Sequence, residues 1–169
     1  MEPLEDIDTQ RESQVAEALG RIESLRPNAW DDVGSDARLG ALREAEDALA
    51  VAYGRQVAAV DTYPAAPDDY GYYDAEDNSI GIGSYSLEHD DAREVVDTLL
   101  HEGRHAYQQW AVDHPWTHGD PAEVEAWREN IAHYTTYEDD PVRYMEQPIE
   151  ADARRFSQAM LRRLYGGTG

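Results

Sequence analysis

The chain has no cysteine and no lysine; all 14 of its basic residues are arginine. Without cysteine there can be no disulfide, no thiolate metal ligand and no Cys nucleophile, so any metal site must be built from His and carboxylate groups. The sequence holds one Phe and no apolar run long enough to cross a bilayer. No basic-then-apolar leader stands at its start, so the expected location is the cytoplasm, or outside the cell by a leaderless route. Positive charge is also scarce. Against the 14 arginines stand 36 acidic residues, giving a net charge of −22. A surface this negative disfavours nucleic acid and anionic membranes as general partners. The carboxylates are scattered from Glu2 to Asp152 with no run longer than three. That spread fits salt adaptation or the arginine bias of a GC-rich genome better than a dedicated acidic face for one basic partner.

At 169 residues the chain is expected to form one domain over 1–165, with helices over 1–50, a catalytic core over 51–165 and a flexible tail over 166–169. The apolar spacing of Leu4, Ile7, Val15, Leu19, Ile22 and Leu25 predicts an amphipathic helix over 4–25, ended by Arg26-Pro27-Asn28. A second helix is expected from a cap at Asp36 to Gly54. Residues 57–60 read as a short strand and 61–78, with Pro64, Pro67, Gly71 and five Asp, as loop. Ser79-Ile80-Gly81-Ile82-Gly83 is a second strand candidate. Asp120-Pro121-Ala122-Glu123 carries a cap, a first-turn Pro and the acid of a capping box, predicting a helix to about Tyr137. Glu138 to Pro141 breaks it, and a last helix runs from Gln147-Pro148 to Gly166. The expected class is α+β: a mostly helical domain with a small sheet packed on its central helix.

That central helix carries the chemistry. His101-Glu102-Gly103-Arg104-His105 reads H-E-x-x-H, and it follows the apolar run Val95, Val96, Leu99 and Leu100. Asp90 or Asp91 can cap the segment, which has no Pro up to Ala111. On a helix, residues four apart share a face, so His101 and His105 can hold one metal ion, with Glu102 in reach of a water on it. The competing reading is a solvated helix face that carries two His. A catalytic zinc site takes three protein ligands and keeps one position for water. Gln108 and Ala111 stand where a long H-E-x-x-H-x-x-G-x-x-H motif would need Gly and His, which removes that arrangement. A later Glu (Glu146 or Glu150) or a nearby loop residue (His114, His118 or Asp120) remains as the third ligand.

Glu150-Ala151-Asp152-Ala153, followed by Phe156, resembles the E-x-x-A helix of gluzincin metallopeptidases. The resemblance implies His101, His105 and Glu150 as zinc ligands and Glu102 as general base. Arg154 stands where that family often has an Asp that orients the first His, so support is expected from Asp152 or Asp97. Over about residues 50–160 the chain also resembles metallopeptidase domains of bacterial polymorphic toxins and effectors.

The implied activity is zinc-dependent cleavage of peptide bonds in a protein or peptide substrate, by a zinc-activated water and a Glu base. A zincin-like interaction domain without activity, or a zinc hydrolase of non-peptide amides, are the alternatives. Tyr144, Tyr137 and His133 are candidates to stabilise the oxyanion. The strand Ser79, Ile80, Gly81 and Ile82 is the expected substrate strand, by strand addition. Trp110, Trp116 and Trp127 are expected to pack in the core or between helices. Oligomeric state has no signature in the sequence.

Overall fold

The computed structural model describes residues 7–166. The start of the first expected helix, with Leu4, and residues 167–169 of the expected tail lie outside them. In chain order the elements are α1 (Ile7–Gly20), α2 (Pro27–Asp31), α3 (Ser35–Tyr53), β1 (Ala59–Tyr63), β2 (Gly71–Asp74), β3 (Ser79–Gly83), α4 (Ser84–His89), α5 (Ala92–Asp113), α6 (Pro121–Ala132), α7 (Pro141–Glu146) and α8 (Pro148–Tyr165). The class is α+β, mostly helical with one three-stranded sheet.

Helix boundaries follow local chemistry in the places where a strong cap exists. The Asp91 carboxylate accepts from the Glu94 N–H at 2.9 Å and starts α5. The Asp120 carboxylate accepts from Ala122 N–H and Glu123 N–H at 3.0 and 3.2 Å and starts α6, with Pro121 at the first helical position. Pro148 opens α8, and Gly54 closes α3 in the left-handed conformation that glycine adopts without strain.

Other expectations need correction. Helix α1 stops at Gly20, because glycine is a poor helix former; a 3-10 turn at Glu23–Leu25 follows. Asp36 sits inside the first turn of α3, and Gly34 holds the cap position. The Glu123 carboxylate does not close a capping box; it takes the His118 ring at 2.8 Å. Helix α6 ends at Ala132, five residues short of Tyr137. The Gln147 side chain takes both the N–H and the carbonyl of Thr135, at 3.1 and 2.8 Å, and draws the chain out of the helix.

The sheet holds the largest departure. The segment 61–78 is not all loop: it contains the end of β1 and the whole of β2. The strand order is β1-β3-β2, with β1 parallel and β2 antiparallel to β3. Ser79 to Gly83 is therefore the central strand, with partners on both sides. Two glycines allow this packing. A Cβ on Gly71 would lie 2.6 Å from the Gly81 carbonyl oxygen and 2.6 Å from the Thr98 methyl of α5, and one on Gly81 would enter the Tyr72 ring. Strand β2 is thereby the edge strand lying against α5.

One core joins these parts. Val95, Val96, Leu99 and Leu100 of α5 are buried with Trp30, Leu42, Ile80, Ile82, Phe156 and Met160. Three arginines are buried as well, each with polar partners, although the Nε of Arg55 finds none. Arg38 donates to the carbonyls of Trp30, Leu87 and Glu88. Arg55 pairs with Glu46 at 2.6 and 2.8 Å. Arg104 pairs with Asp152 at 2.8 Å.

Candidate metal centre

Helix α5 presents His101 and His105 one turn apart, with ring centroids 4.9 Å from one another. Helix α8 crosses against α5, and its first turn brings in Glu150, buried at 3% exposure. His101 Nε2 lies 3.0 Å from Glu150 Oε2, and His105 Nε2 lies 3.2 Å from Glu150 Oε1. The three donor atoms converge within 4.8 Å of one another, so this group can hold a metal ion. It is a two-nitrogen, one-oxygen set of the kind that suits zinc.

A chain of hydrogen bonds behind His105 fixes its ring. The Gln108 side-chain amide donates to the Ile149 carbonyl at 2.9 Å and to Asp152 Oδ2 at 2.8 Å. Its oxygen must therefore face His105, 2.8 Å from Nδ1. Nδ1 then carries a proton whatever the state of the ring: without metal Nε2 is protonated too and donates to Glu150, and loss of that second proton leaves the lone pair on Nε2, the tautomer a metal needs. Asp152 is in turn held by Arg104. The Arg104 guanidinium sits among the rings of Tyr53, Tyr107, Trp127 and Phe156, 4.8–5.7 Å from their centroids.

Asp152 thus supports the second His, not the first as the sequence suggested. Asp97 borders the cleft beside His101, yet among the described residues no hydrogen bond joins the two. Arg154 points away, donating to the Met145 carbonyl at 2.6 Å.

The charges agree with the geometry. Burial works against a charge on Glu150, but hydrogen bonds from His101 and His105 and their positive charge outweigh it and hold the carboxyl well below the usual range. Burial likewise opposes a charge on His105, but its hydrogen bond to Glu150 and the charges of Glu102 and Glu150 raise it to about 9. Burial dominates at Glu102 and raises its carboxyl above the usual range, against the lowering effect of both His.

The remaining expected residues sort clearly. Tyr144 and Tyr137 border, with His101 and Glu102, a cavity of about 500 Å³. His133 does not reach it: its side chain is 75% exposed and turned to Glu129. Glu146 ends α7 and lines a different cavity. His118 is taken up by Tyr107 and Glu123, His114 stacks on Trp110, and Asp120 caps α6, so none of the three joins the metal group. Trp127 is buried as expected and Trp110 is half-buried, but Trp116 is 79% exposed and packs in no core.

Sequence reasoning missed two contributors. Gln108 lies three positions after His105, on the same helix face, a signal that was present. Tyr134 donates its hydroxyl to Glu150 Oε1 at 3.0 Å. It stands in irregular chain after α6, where no local pattern marks it. On this side of the metal group lies a cavity of about 230 Å³, lined by Tyr73, Ile131, Tyr134 and Ile149 beside His105 and Glu150.

No protein family, curated protein or solved structure matches this chain. Among the described residues no helix is long and apolar enough to cross a membrane.

Proposed function

We propose that this protein is a zinc-dependent endopeptidase. The observation that carries the reading is the meeting of His101, His105 and Glu150 within 4.8 Å, with Glu102 adjoining on the same helix. His101, His105 and Glu150 would hold the zinc ion, which would supply Lewis acidity toward the scissile carbonyl and a water of pKa ~7. Glu102 accepts the proton of the attacking water and returns it to the leaving amine. Its raised pKa brings it closer to the operating pH, where a general base works best. Gln108 holds the His105 proton on Nδ1 and so keeps Nε2 available. Tyr134 anchors Glu150, whereas Tyr144 stands in the same cavity as Glu102 and serves as the oxyanion donor.

The substrate backbone pairs with β2, not with the central strand Ser79 to Ile82. A peptide adds to a sheet only where a row of N–H and C=O groups is free. Among the described residues strand β2 pairs along one edge only and lies against α5, whereas β3 is paired along both edges. A binding-only role would leave Glu102 without a purpose, which favours catalysis.

The test is metal analysis joined to Glu102→Gln. Wild type and variant should both carry about one zinc per chain, the stoichiometry of a single catalytic site. Only the wild type should create new peptide termini when incubated with a mixed proteome. Zinc-free protein from chelator-free purification, or cleavage that survives Glu102→Gln, would refute the reading.

A further inference from the structure

The two sides of the metal group differ in chemistry. On the side of His101 and Glu102, the cavity of about 500 Å³ is bordered by Asp68, Asp69, Asp97 and Glu138. On the side of His105 and Glu150, the separate cavity of about 230 Å³ is walled by Tyr73, Ile131, Tyr134 and Ile149. The polar ends of this second wall already have partners. The Tyr73 hydroxyl donates to Asn78 Oδ1 at 3.0 Å, and the Tyr134 hydroxyl donates to Glu150. The Gln108 amide is bonded to Ile149, Asp152 and His105, and Gln109 donates to Asp113 at 3.4 Å. Apart from His105 and Glu150, no charged residue borders this cavity among the described residues. What it offers a ligand is mostly hydrocarbon, and a charge placed there would stay unpaired.

Which half of a substrate meets this wall follows from the path of the proton. Glu102 returns a proton to the leaving amine, so that nitrogen lies within hydrogen-bond reach of Glu102, on the acidic side. In a trans peptide the chain leaves the scissile bond in opposite directions from its nitrogen and its carbonyl carbon. The acyl half therefore leads across the metal group toward His105 and Glu150. Strand β2 borders both sides, with Gly71 at the acidic cavity and Tyr73 at the apolar one, so a peptide laid along β2 passes both. We infer that the apolar cavity selects the residue that supplies the scissile carbonyl, that this residue is a large apolar one such as Leu, Met or Phe, and that Ile131 is a specificity-determining contact. The cavity's 230 Å³ is many times the ~15 Å³ that admits one water, so one such side chain fits. Ile131 neither bonds a metal ligand nor flanks one in sequence, so replacing it alters the wall without touching the metal. The inference rests on the peptidase reading and narrows it to a substrate class, segments with a large apolar residue just before the cut.

The test uses the full chain loaded with zinc and a peptide mixture from a digested bacterial proteome. Mass spectrometry reads the residue before each new amino terminus. Leu, Met and Phe should be enriched there, and Gly, Asp and Lys depleted. One cleaved peptide is then remade with Leu or with Gly at that position. Wild type should favour the Leu peptide by about tenfold to a hundredfold in kcat/KM, the gain from burying one such side chain. Ile131→Ala should lose more on the Leu peptide than on the Gly peptide, shrinking the preference by about threefold to tenfold, a part of that gain. Ile131→Val should keep most of it. Fluorescence anisotropy of the same two peptides on zinc-loaded Glu102→Gln protein should show tighter binding of the Leu peptide. Equal affinities there, no enrichment before the cut, or a loss in Ile131→Ala that is equal for both peptides overturns the inference and leaves the peptidase reading intact. So does an apolar preference confined to the residue after the cut. No cleavage by wild type overturns both.

Discussion

Asp152→Asn removes one negative charge from a place where the protein depends on it twice. The carboxylate is the partner of Arg104, whose side chain is 2% exposed, and it also holds Gln108. Its third partner, Arg155, is more than half exposed and can turn to water. Arg104 has no such option. Removing one member of a buried ion pair leaves an uncompensated charge and costs about 3–5 kcal/mol. In a domain of this size each kcal/mol lowers Tm by about 2–4 °C, so a fall of about 6–20 °C is expected.

The second effect is on the metal. With a neutral side chain at 152, the Gln108 amide is no longer oriented by a charge, and its grip on the His105 Nδ1 proton weakens. Loss of such support lowers metal affinity by about 10–100-fold. Thermal melts with and without zinc, and a competition titration against a chelator, read the two effects separately. Replacing both members, Arg104→Met with Asp152→Leu, should recover much of the stability but not the zinc affinity. A Tm loss below about 3 °C in Asp152→Asn would contradict the buried-charge argument. Full zinc affinity in the same variant would contradict the relay through Gln108.

Other outcomes follow from the same geometry. The lowered carboxyl of Asp152 stabilises the fold above the ordinary Asp value and loses that contribution as pH falls through its own lower value. The Tm gap between wild type and Asp152→Asn should thus be full near neutrality and close in acid below about pH 4, the unfolded Asp pKa. His105, raised to about 9, keeps a proton at neutral pH in the metal-free protein. Zinc must displace it, so apparent affinity should climb about tenfold per pH unit up to about 9; a flat profile between pH 6 and 8 in a chelator competition would oppose this. Gly71→Ala places a methyl against Gly81 and Thr98, and should cost about 1–3 kcal/mol in urea unfolding through overpacking. Tyr144→Phe should lower kcat by about 10²–10³ with zinc content intact if it donates to the oxyanion; Tyr134→Phe should weaken zinc binding instead. An interchange of these two phenotypes would reverse the roles assigned to the tyrosines.

The parts that were legible in the sequence are the ones set by short range. H-E-x-x-H, the caps at Asp91 and Asp120, and the prolines opening α6 and α8 each act within one or two helical turns, so composition and spacing carry them. Glu150 was singled out by the resemblance of Glu150-Ala151-Asp152-Ala153 to the E-x-x-A helix of gluzincins, on a helix with a recognisable start. The short helices α4 and α7 and strand β2 carry weaker local signals, and β2 sits among Pro, Gly and Asp residues that normally mark loops.

What only the tertiary structure decided is which groups meet. Ser79 to Ile82 alternates like a strand whether it is central or at an edge, and pairing with both β1 and β2 made it central. His133 is close in sequence to Tyr134, yet the Gln147 clamp on Thr135 turns the tyrosine toward Glu150 while the histidine stays in solvent. The bonding from Arg104 through Asp152 and Gln108 to His105 spans two helices and 48 residues of chain. Local preference sets where a helix begins. The burial of Arg104 and Glu150, and the need to satisfy each buried charge, set which helices cross at the candidate metal site.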